Sequence, residues 1–136
     1  MGTFINVKEN NMPKVFIVDD DEFLLDMYAV KFRESGFEVE VARGAEEALK
    51  KIKSGYIPHV MLLDIVMPGM DGFEMLRTMG KEDLFKTIAV IVLSNLGQKE
   101  DIERGIQLGA KDYIVKAHFT PTEVVKKVEA LLGAKA

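Results

Sequence analysis

Short apolar runs alternate along this chain with longer amphipathic stretches, and the two periods separate strands from helices. Val15-Phe16-Ile17-Val18, Val60-Met61-Leu62-Leu63 and residues 88–93 are almost continuously apolar, too short for helices and suited to strands buried on both faces. Residues 37–42 alternate strictly, and residues 111–115 form a short run flanked by charge, so both read as edge strands. Between these runs the spacing predicts helices ending near Ser35, over 44–53, over 72–79, over 99–108, and from Pro121 toward the end. Asp21 is placed to cap the first of them. Asp71 caps the third, with Glu74 in capping-box position, and Thr120 caps the last, with Pro121 in its first turn. Gly36 stops the first helix, and Gly55 and Pro58 punctuate the approach to the third strand.

Five strand–helix units in succession imply an α/β fold with one parallel sheet and helices on both faces. Placing the second and fifth strands at the edges gives the order 2-1-3-4-5, a doubly wound, flavodoxin-like three-layer sandwich with five helices. Residues 13–133 are expected to form this domain, with 1–12 and 134–136 as loose tails. The order reverses between strands one and three. In open sheets of this kind ligands bind at that reversal, beyond the carboxyl ends of the strands.

Composition narrows the classes. A chain of 136 residues buries one sizeable core, and 48% hydrophobic with 29% charged residues is the balance of a soluble globular domain. A net charge of -4 argues against direct nucleic-acid binding; Lys50, Lys51, Lys53, Lys126 and Lys127 read as solvated helix faces. The absence of cysteine excludes disulfides, thiolate metal sites and a cysteine nucleophile, and fits a cytoplasmic location. No apolar run approaches the ~20 residues that span a bilayer, so no membrane association is expected, and the N-terminus lacks a signal-peptide core.

The candidate chemistry lies at the strand ends. Asp19 and Asp20 follow strand one and Asp64 follows strand three, so three carboxylates converge on the reversal point. A loop acid facing water is the alternative for Asp64 taken alone. Two such charges ~4 Å apart repel by about 4 kcal/mol at an effective dielectric of ~20, a real strain on a domain whose stability is ~5–15 kcal/mol. A cation resolves that strain, and a few oxygen ligands with room for water suit Mg2+ better than a calcium cage. Ser94 ends strand four and Lys116 follows strand five. A turn-capping serine and a lysine reaching to water are the ordinary roles, but at this edge a hydroxyl and an ammonium can both serve a phosphoryl oxygen.

These elements together resemble the receiver domains of two-component response regulators over about residues 14–132. The resemblance rests on Val18-Asp19-Asp20, the block Leu62-Leu63-Asp64-Ile65-Val66-Met67-Pro68-Gly69-Met70-Asp71-Gly72, Ser94 and Lys116. It implies that Asp64 is the phosphorylated aspartate. Asp20, Asp64 and the Val66 carbonyl would bind Mg2+ directly, and Asp19 mostly through water. Ser94 takes the place of the switch hydroxyl and Tyr113 that of the switch aromatic. The implied donor is a phosphohistidine on a sensor histidine kinase or histidine phosphotransfer protein. The implied response is a shift of the surface formed by the fourth helix, fifth strand and fifth helix, read by a downstream effector or output domain. Such a protein catalyses its own phosphorylation and dephosphorylation rather than turning over an external substrate.

Two surfaces bear on that reading. The fourth helix carries little more than Ile102 and Ile106 as an apolar pair, which predicts weak docking, against an ordinary surface helix as the alternative. The first helix is richer, and Phe23, Met27 and Val30 form a stripe suited to docking the phosphodonor, with core packing as the competing explanation. The chain departs from the family in having Lys116-Ala117-His118 after strand five where Lys-Pro is usual, and Asn95-Leu96 after Ser94 where a small residue is usual. His118 reads as a loop residue. Two rivals remain in view: a haloacid-dehalogenase-like phosphatase with Asp19 as nucleophile, and a pseudo-receiver that only binds partners. The letters are compatible with a free-standing receiver and with one cut from a longer regulator or hybrid kinase.

Overall fold

The structure, a computed structural model, describes residues 12–133. The tails expected at 1–12 and 134–136 fall, apart from Met12, outside the described residues. Five strands form one sheet: β1 (Lys14–Val18), β2 (Glu38–Ala42), β3 (Val60–Leu63), β4 (Ala89–Ser94) and β5 (Asp112–Val115). Their order is β2-β1-β3-β4-β5, and every neighbouring pair is parallel. Five helices connect and close it: α1 (Glu22–Glu34), α2 (Ala45–Lys53), α3 (Gly72–Lys81), α4 (Lys99–Gln107) and α5 (Pro121–Gly133). The flavodoxin-like arrangement expected from the apolar runs is the one observed.

The alternation of side chains across the strands builds two cores. Phe16, Val18, Met61, Leu63, Val90 and Val92 face α2 and α3, packing on Ala48, Leu49, Leu76 and Met79. Val15, Ile17, Val60, Leu62, Ile91 and Leu93 face the opposite way, onto Leu25, Tyr28 and Phe32 of α1 and Val124 and Val128 of α5. β3 is buried at all of its positions, which is why its sequence shows no polar alternation. At the β2 edge Glu38 is exposed, and Val39, Glu40 and Val41 are all half-buried, so the edge position shows but the burial does not follow the alternating letters.

The caps are built from the expected residues. Asp21 Oδ1 accepts from the amides of Phe23 and Leu24, and Asp71 and Glu74 form a reciprocal capping box. Thr120 and Glu123 exchange the same pair of bonds at α5. Boundaries differ by a residue or two: β4 takes in Ser94, which pairs with Val115, and α3 continues to Lys81. Two 3-10 turns, Leu84–Lys86 and Lys116–His118, have no periodic signal in the sequence.

The apolar residues of α1 divide between two roles. Leu25, Tyr28, Ala29 and Phe32 enter the core, while Phe23 is 75% and Val30 51% exposed. On α4 only Gly105 is buried; Ile102 is half-buried and Ile106 is 45% exposed. The Arg104 guanidinium of α4 lies 4.2 Å above the centre of the Phe73 ring of α3, a cation–π contact between the two helices.

Candidate functional site

Because all five strands run the same way, every strand ends at the same edge of the sheet, and the polar residues that terminate them are gathered there. Asp19 continues β1 and Asp64 continues β3, the adjacent strands of the reversal, and Asp20 lies beside them. Carboxylate oxygens of Asp19, Asp20 and Asp64 all lie within 4.8 Å of one another. Asp19 and Asp64 are buried and Asp20 is exposed.

Each buried acid is held by the chain around it. Asp19 Oδ1 accepts from the Asp21 amide at 2.9 Å, and its Oδ2 accepts from Lys116 Nζ at 2.6 Å. Asp64 Oδ1 accepts from the Ile65 amide at 2.8 Å, and its Oδ2 stands 3.5 Å from Lys116 Nζ. The β3–α3 loop closes tightly over this point. The Gly72 amide donates to the Ile65 carbonyl at 2.8 Å, and a Cβ at Gly72 would collide with the Asp64 carbonyl oxygen and Ile65 Cα. Only glycine allows that approach.

Charge and burial oppose one another here. Burial pushes the Asp64 carboxyl above its usual value and the nearby Asp19 charge adds to this; the Lys116 ammonium, Ser94 and the Ile65 amide pull the other way without cancelling it. Burial would lower the Lys116 ammonium, but its hydrogen bond to Asp19 and the charges of Asp64 and Asp19 outweigh that and hold it above the ordinary lysine value. The pocket therefore contains a firmly charged cation and an aspartate whose negative charge is under strain.

Ser94 is 1% exposed, and its hydroxyl accepts from the Leu96 amide at 3.2 Å. This is the ordinary turn role of a serine, performed beside Asp64. Tyr113 is buried on β5 with its hydroxyl donating to the Leu96 carbonyl, so the loop after Ser94 is tied to the aromatic at the next strand. Burial, with the charges of Asp101 and Asp64, pushes the Tyr113 phenol up to about 12. Val66 follows in the β3–α3 loop with its side chain 62% exposed. His118 is exposed in the 3-10 turn after β5, and the Lys116–Ala117 bond is trans like every peptide bond among the described residues.

Two contacts escaped the sequence reading. Glu46 of α2 accepts from the Met70 amide at 3.3 Å and so steadies the loop beyond Asp64 from another helix. Asn95 Oδ1 accepts from the Ala117 amide at 2.9 Å, joining the loops that follow β4 and β5. Neither pair shares a local pattern; the partners are 24 and 22 positions apart.

The donor set fits an oxygen-seeking cation: three carboxylates at single-ion spacing, two of them buried, with no nitrogen or sulfur ligand among them.

Comparison with known proteins agrees in sequence and in fold. Residues 15–129 match the family described as response regulator receiver domain. The alkaline phosphatase synthesis transcriptional regulatory protein PhoP of Bacillus subtilis (strain 168) is 33% identical over 119 residues, covering 88% of this chain and 48% of that protein. The phosphate regulon transcriptional regulatory protein PhoB of Rhizobium meliloti (strain 1021) is 31% identical over 121 residues, covering 89% and 52%. The chain thus spans about half the length of the curated relatives it matches. The receiver domain of the Francisella response regulator 1452 superposes with a TM-score of 0.82 at 32% identity, over 91% of this chain and 99% of that one. The CheX-CheY-BeF3-Mg+2 complex from Borrelia burgdorferi superposes with a TM-score of 0.80 at 33% identity, over 88% and 89%. A family match running from β1 into α5, with relatives of this identity across most of the sequence, makes the chain a member of the response regulator receiver domain family.

Proposed function

We propose that Asp64 is the phosphoacceptor of this receiver domain, and that Asp19, Asp20, Asp64 and the main-chain carbonyl of Val66 hold the Mg2+ that receiver domains bind at their acidic pocket. The observation that carries the reading is the spacing of the site: three carboxylates within 4.8 Å, with Lys116 Nζ 3.5 Å from Asp64 Oδ2. An oxygen of Asp64 bonds to phosphorus as the phosphorus–nitrogen bond of a phosphohistidine breaks. The bonding pair leaves on the imidazole nitrogen, which takes up a proton. The transition state is loose, so the protein's work is positioning and charge neutralisation. Mg2+, when bound, supplies positive charge to the phosphoryl oxygens. Lys116 supplies a second positive charge, 3.5 Å from Asp64 Oδ2, and the Ser94 hydroxyl, which accepts from the Leu96 amide, has its own O–H to donate to a phosphoryl oxygen.

Asp64 is favoured over Asp19 as nucleophile by the bonds each makes. Both oxygens of Asp19 are engaged, one by the Asp21 amide and one by Lys116 at 2.6 Å, whereas Asp64 Oδ2 has only the longer contact to Lys116. This disfavours the phosphatase alternative. The donor is a sensor histidine kinase or a histidine phosphotransfer protein, docking on the exposed Phe23 and Val30 of α1 with Met27 between them. Phosphorylation adds nearly two negative charges beside Ser94, and the response passes through α4, β5 and α5 to a downstream effector or output domain. α4 suits that role, since its apolar contacts are few. No described helix is long and apolar enough to cross a membrane; the cytoplasm is the location this function requires.

Incubation with Mg2+ and acetyl phosphate, followed by mass spectrometry, tests the assignment. A phosphoryl mass on Asp64, lost in Asp64→Asn, is the expected result. A label on Asp19 would restore the phosphatase reading, and no label would leave a partner-binding pseudo-receiver.

A further inference from the structure

The Lys116 ammonium must reach from the end of β5, an edge strand, across β4 and β3 to Asp19 at the end of β1. A lysine stem has four flexible carbons and much rotamer freedom to lose, so its backbone anchor decides how well the ammonium is aimed. That anchor is thin. β5 has four residues and its ladder with β4 ends at the pair Ser94–Val115, one position before Lys116.

Where the ladder stops, a side chain takes over. Continuing the register would set Asn95 opposite Lys116, and it is Asn95 Oδ1 that accepts the Ala117 amide at 2.9 Å. The 3-10 turn over Lys116–His118 is then closed by the Phe119 amide donating to the Lys116 carbonyl at 3.3 Å. Asn95 is also the immediate neighbour of Ser94. The loop that carries the hydroxyl and the turn that carries the ammonium are therefore pinned to each other, with the Tyr113–Leu96 bond as a second tie one residue further on.

We propose that Asn95 is a positioning residue for phosphoryl transfer to Asp64: it clamps the Ala117 amide and thereby aims Lys116 at the two buried carboxylates. It touches neither phosphorus nor the acceptor oxygen. The inference rests on Asp64 being the phosphoacceptor.

The experiment measures the rate of acetyl-phosphate labelling of Asp64 in wild type, Asn95→Ala, Asn95→Asp, Lys116→Ala and the double variant N95A/K116A, with thermal melting of each. Loss of one aiming hydrogen bond is expected to slow Asn95→Ala by about fivefold while it remains folded. Asn95→Asp keeps an acceptor oxygen in the same place and is expected to recover most of that loss. The deciding comparison is the cycle. If Asn95 works through Lys116, removing it from Lys116→Ala changes the rate by less than about twofold. An equal loss in both backgrounds would show that Asn95 acts by shaping access to the site, and would overturn the proposal. So would a wild-type rate in Asn95→Ala. Failure of the wild type itself to be labelled would instead strike the phosphoacceptor assignment beneath it.

Discussion

Lys116 and Asp19 stand 97 positions apart in the chain, and their side chains meet at 2.6 Å. The ammonium is thus committed first to Asp19 and only secondarily, at 3.5 Å, to Asp64. Asp64, the proposed phosphoacceptor, is left as the less compensated of the two buried acids, which is a useful condition for a nucleophile and a costly one for the fold.

Asp64→Asn should therefore stabilise the metal-free protein. The amide keeps the shape, removes a desolvated charge and leaves the Lys116–Asp19 pair intact. Relief of an active-site strain of this kind is worth about 1 kcal/mol, a rise in Tm of about 2–4 °C. The pH dependence has a definite sign. Native Asp64 holds its proton more tightly than an unfolded aspartate does, so the wild type loses stability as pH rises from the unfolded value through the raised native one. The asparagine variant lacks that loss. Its advantage in Tm should be absent in acid, grow across that window and level off at neutral pH. A gap that is constant, or that shrinks with rising pH, would show that Asp64 is not the strained group.

Mg2+ should reverse the balance. An ion that binds only the folded site at one hundred times its Kd stabilises by about 2.7 kcal/mol, or about 5–10 °C in Tm for a domain of this size. Asp20 is the acid to remove for a clean test, because it is exposed and makes none of the buried bonds. Asp20→Ala should melt within about 0.5 kcal/mol of wild type without metal and lose most of the Mg2+-dependent rise. An unchanged rise would place the ion elsewhere.

How much of this was legible in the letters follows from where the information sits. Val60-Met61-Leu62-Leu63 announces a strand buried on both faces, and Asp64 after it announces a polar group at the carboxyl edge; both signals are local in sequence. Ser94 and Lys116 are legible in the same way, as the first polar residues after apolar runs. The order of the strands was accessible too, because burial leaves its mark on composition. What stayed hidden is what two distant segments do to one another. The Asn95–Ala117 and Glu46–Met70 bonds join side chains to backbone amides across different loops, and no periodicity records such a meeting. The same holds for the division of α1, where Phe23 and Leu25 are both apolar but only the tertiary fold leaves one exposed.

Gly105 offers a test of how Tyr113, expected from the family resemblance to be the switch aromatic, is held. It is the only buried residue of α4, and a Cβ there would lie 2.9 Å and 3.1 Å from two ring carbons of Tyr113. Replacing an exposed helical glycine by alanine ordinarily gains about 0.5–1 kcal/mol. Here the added methyl must displace either the ring or the helix. Gly105→Ala should fail to show that gain and should move Tyr113 toward solvent, breaking its bond to the Leu96 carbonyl. The chain has three tyrosines and no tryptophan, so ultraviolet titration reports them directly. A phenol now pushed up to about 12 by burial should titrate nearer to the ordinary value of about 10 once exposed. A titration curve superposable on wild type would mean that the ring has kept its place.

The exposed face of α1, the proposed docking surface, allows docking to be tested apart from chemistry. Phe23, Met27 and Val30 border a groove with Asp26, Lys31, Glu34 and Pro121; Met27 also packs against the core, while Phe23 and Val30 are exposed. Phe23→Glu combined with Val30→Glu adds two charges to a surface that is already solvated, so stability should change by no more than about 0.5 kcal/mol for each. Labelling by acetyl phosphate needs no docking and should proceed at the wild-type rate. Transfer from a phosphohistidine protein does need it, and loss of two exposed apolar anchors should slow transfer by about tenfold or more. Equal rates from the protein donor in variant and wild type would remove α1 from the interface. Equal slowing with both donors would trace the effect to the pocket at the sheet edge, which α1 enters through Asp21 and its bond to Asp19.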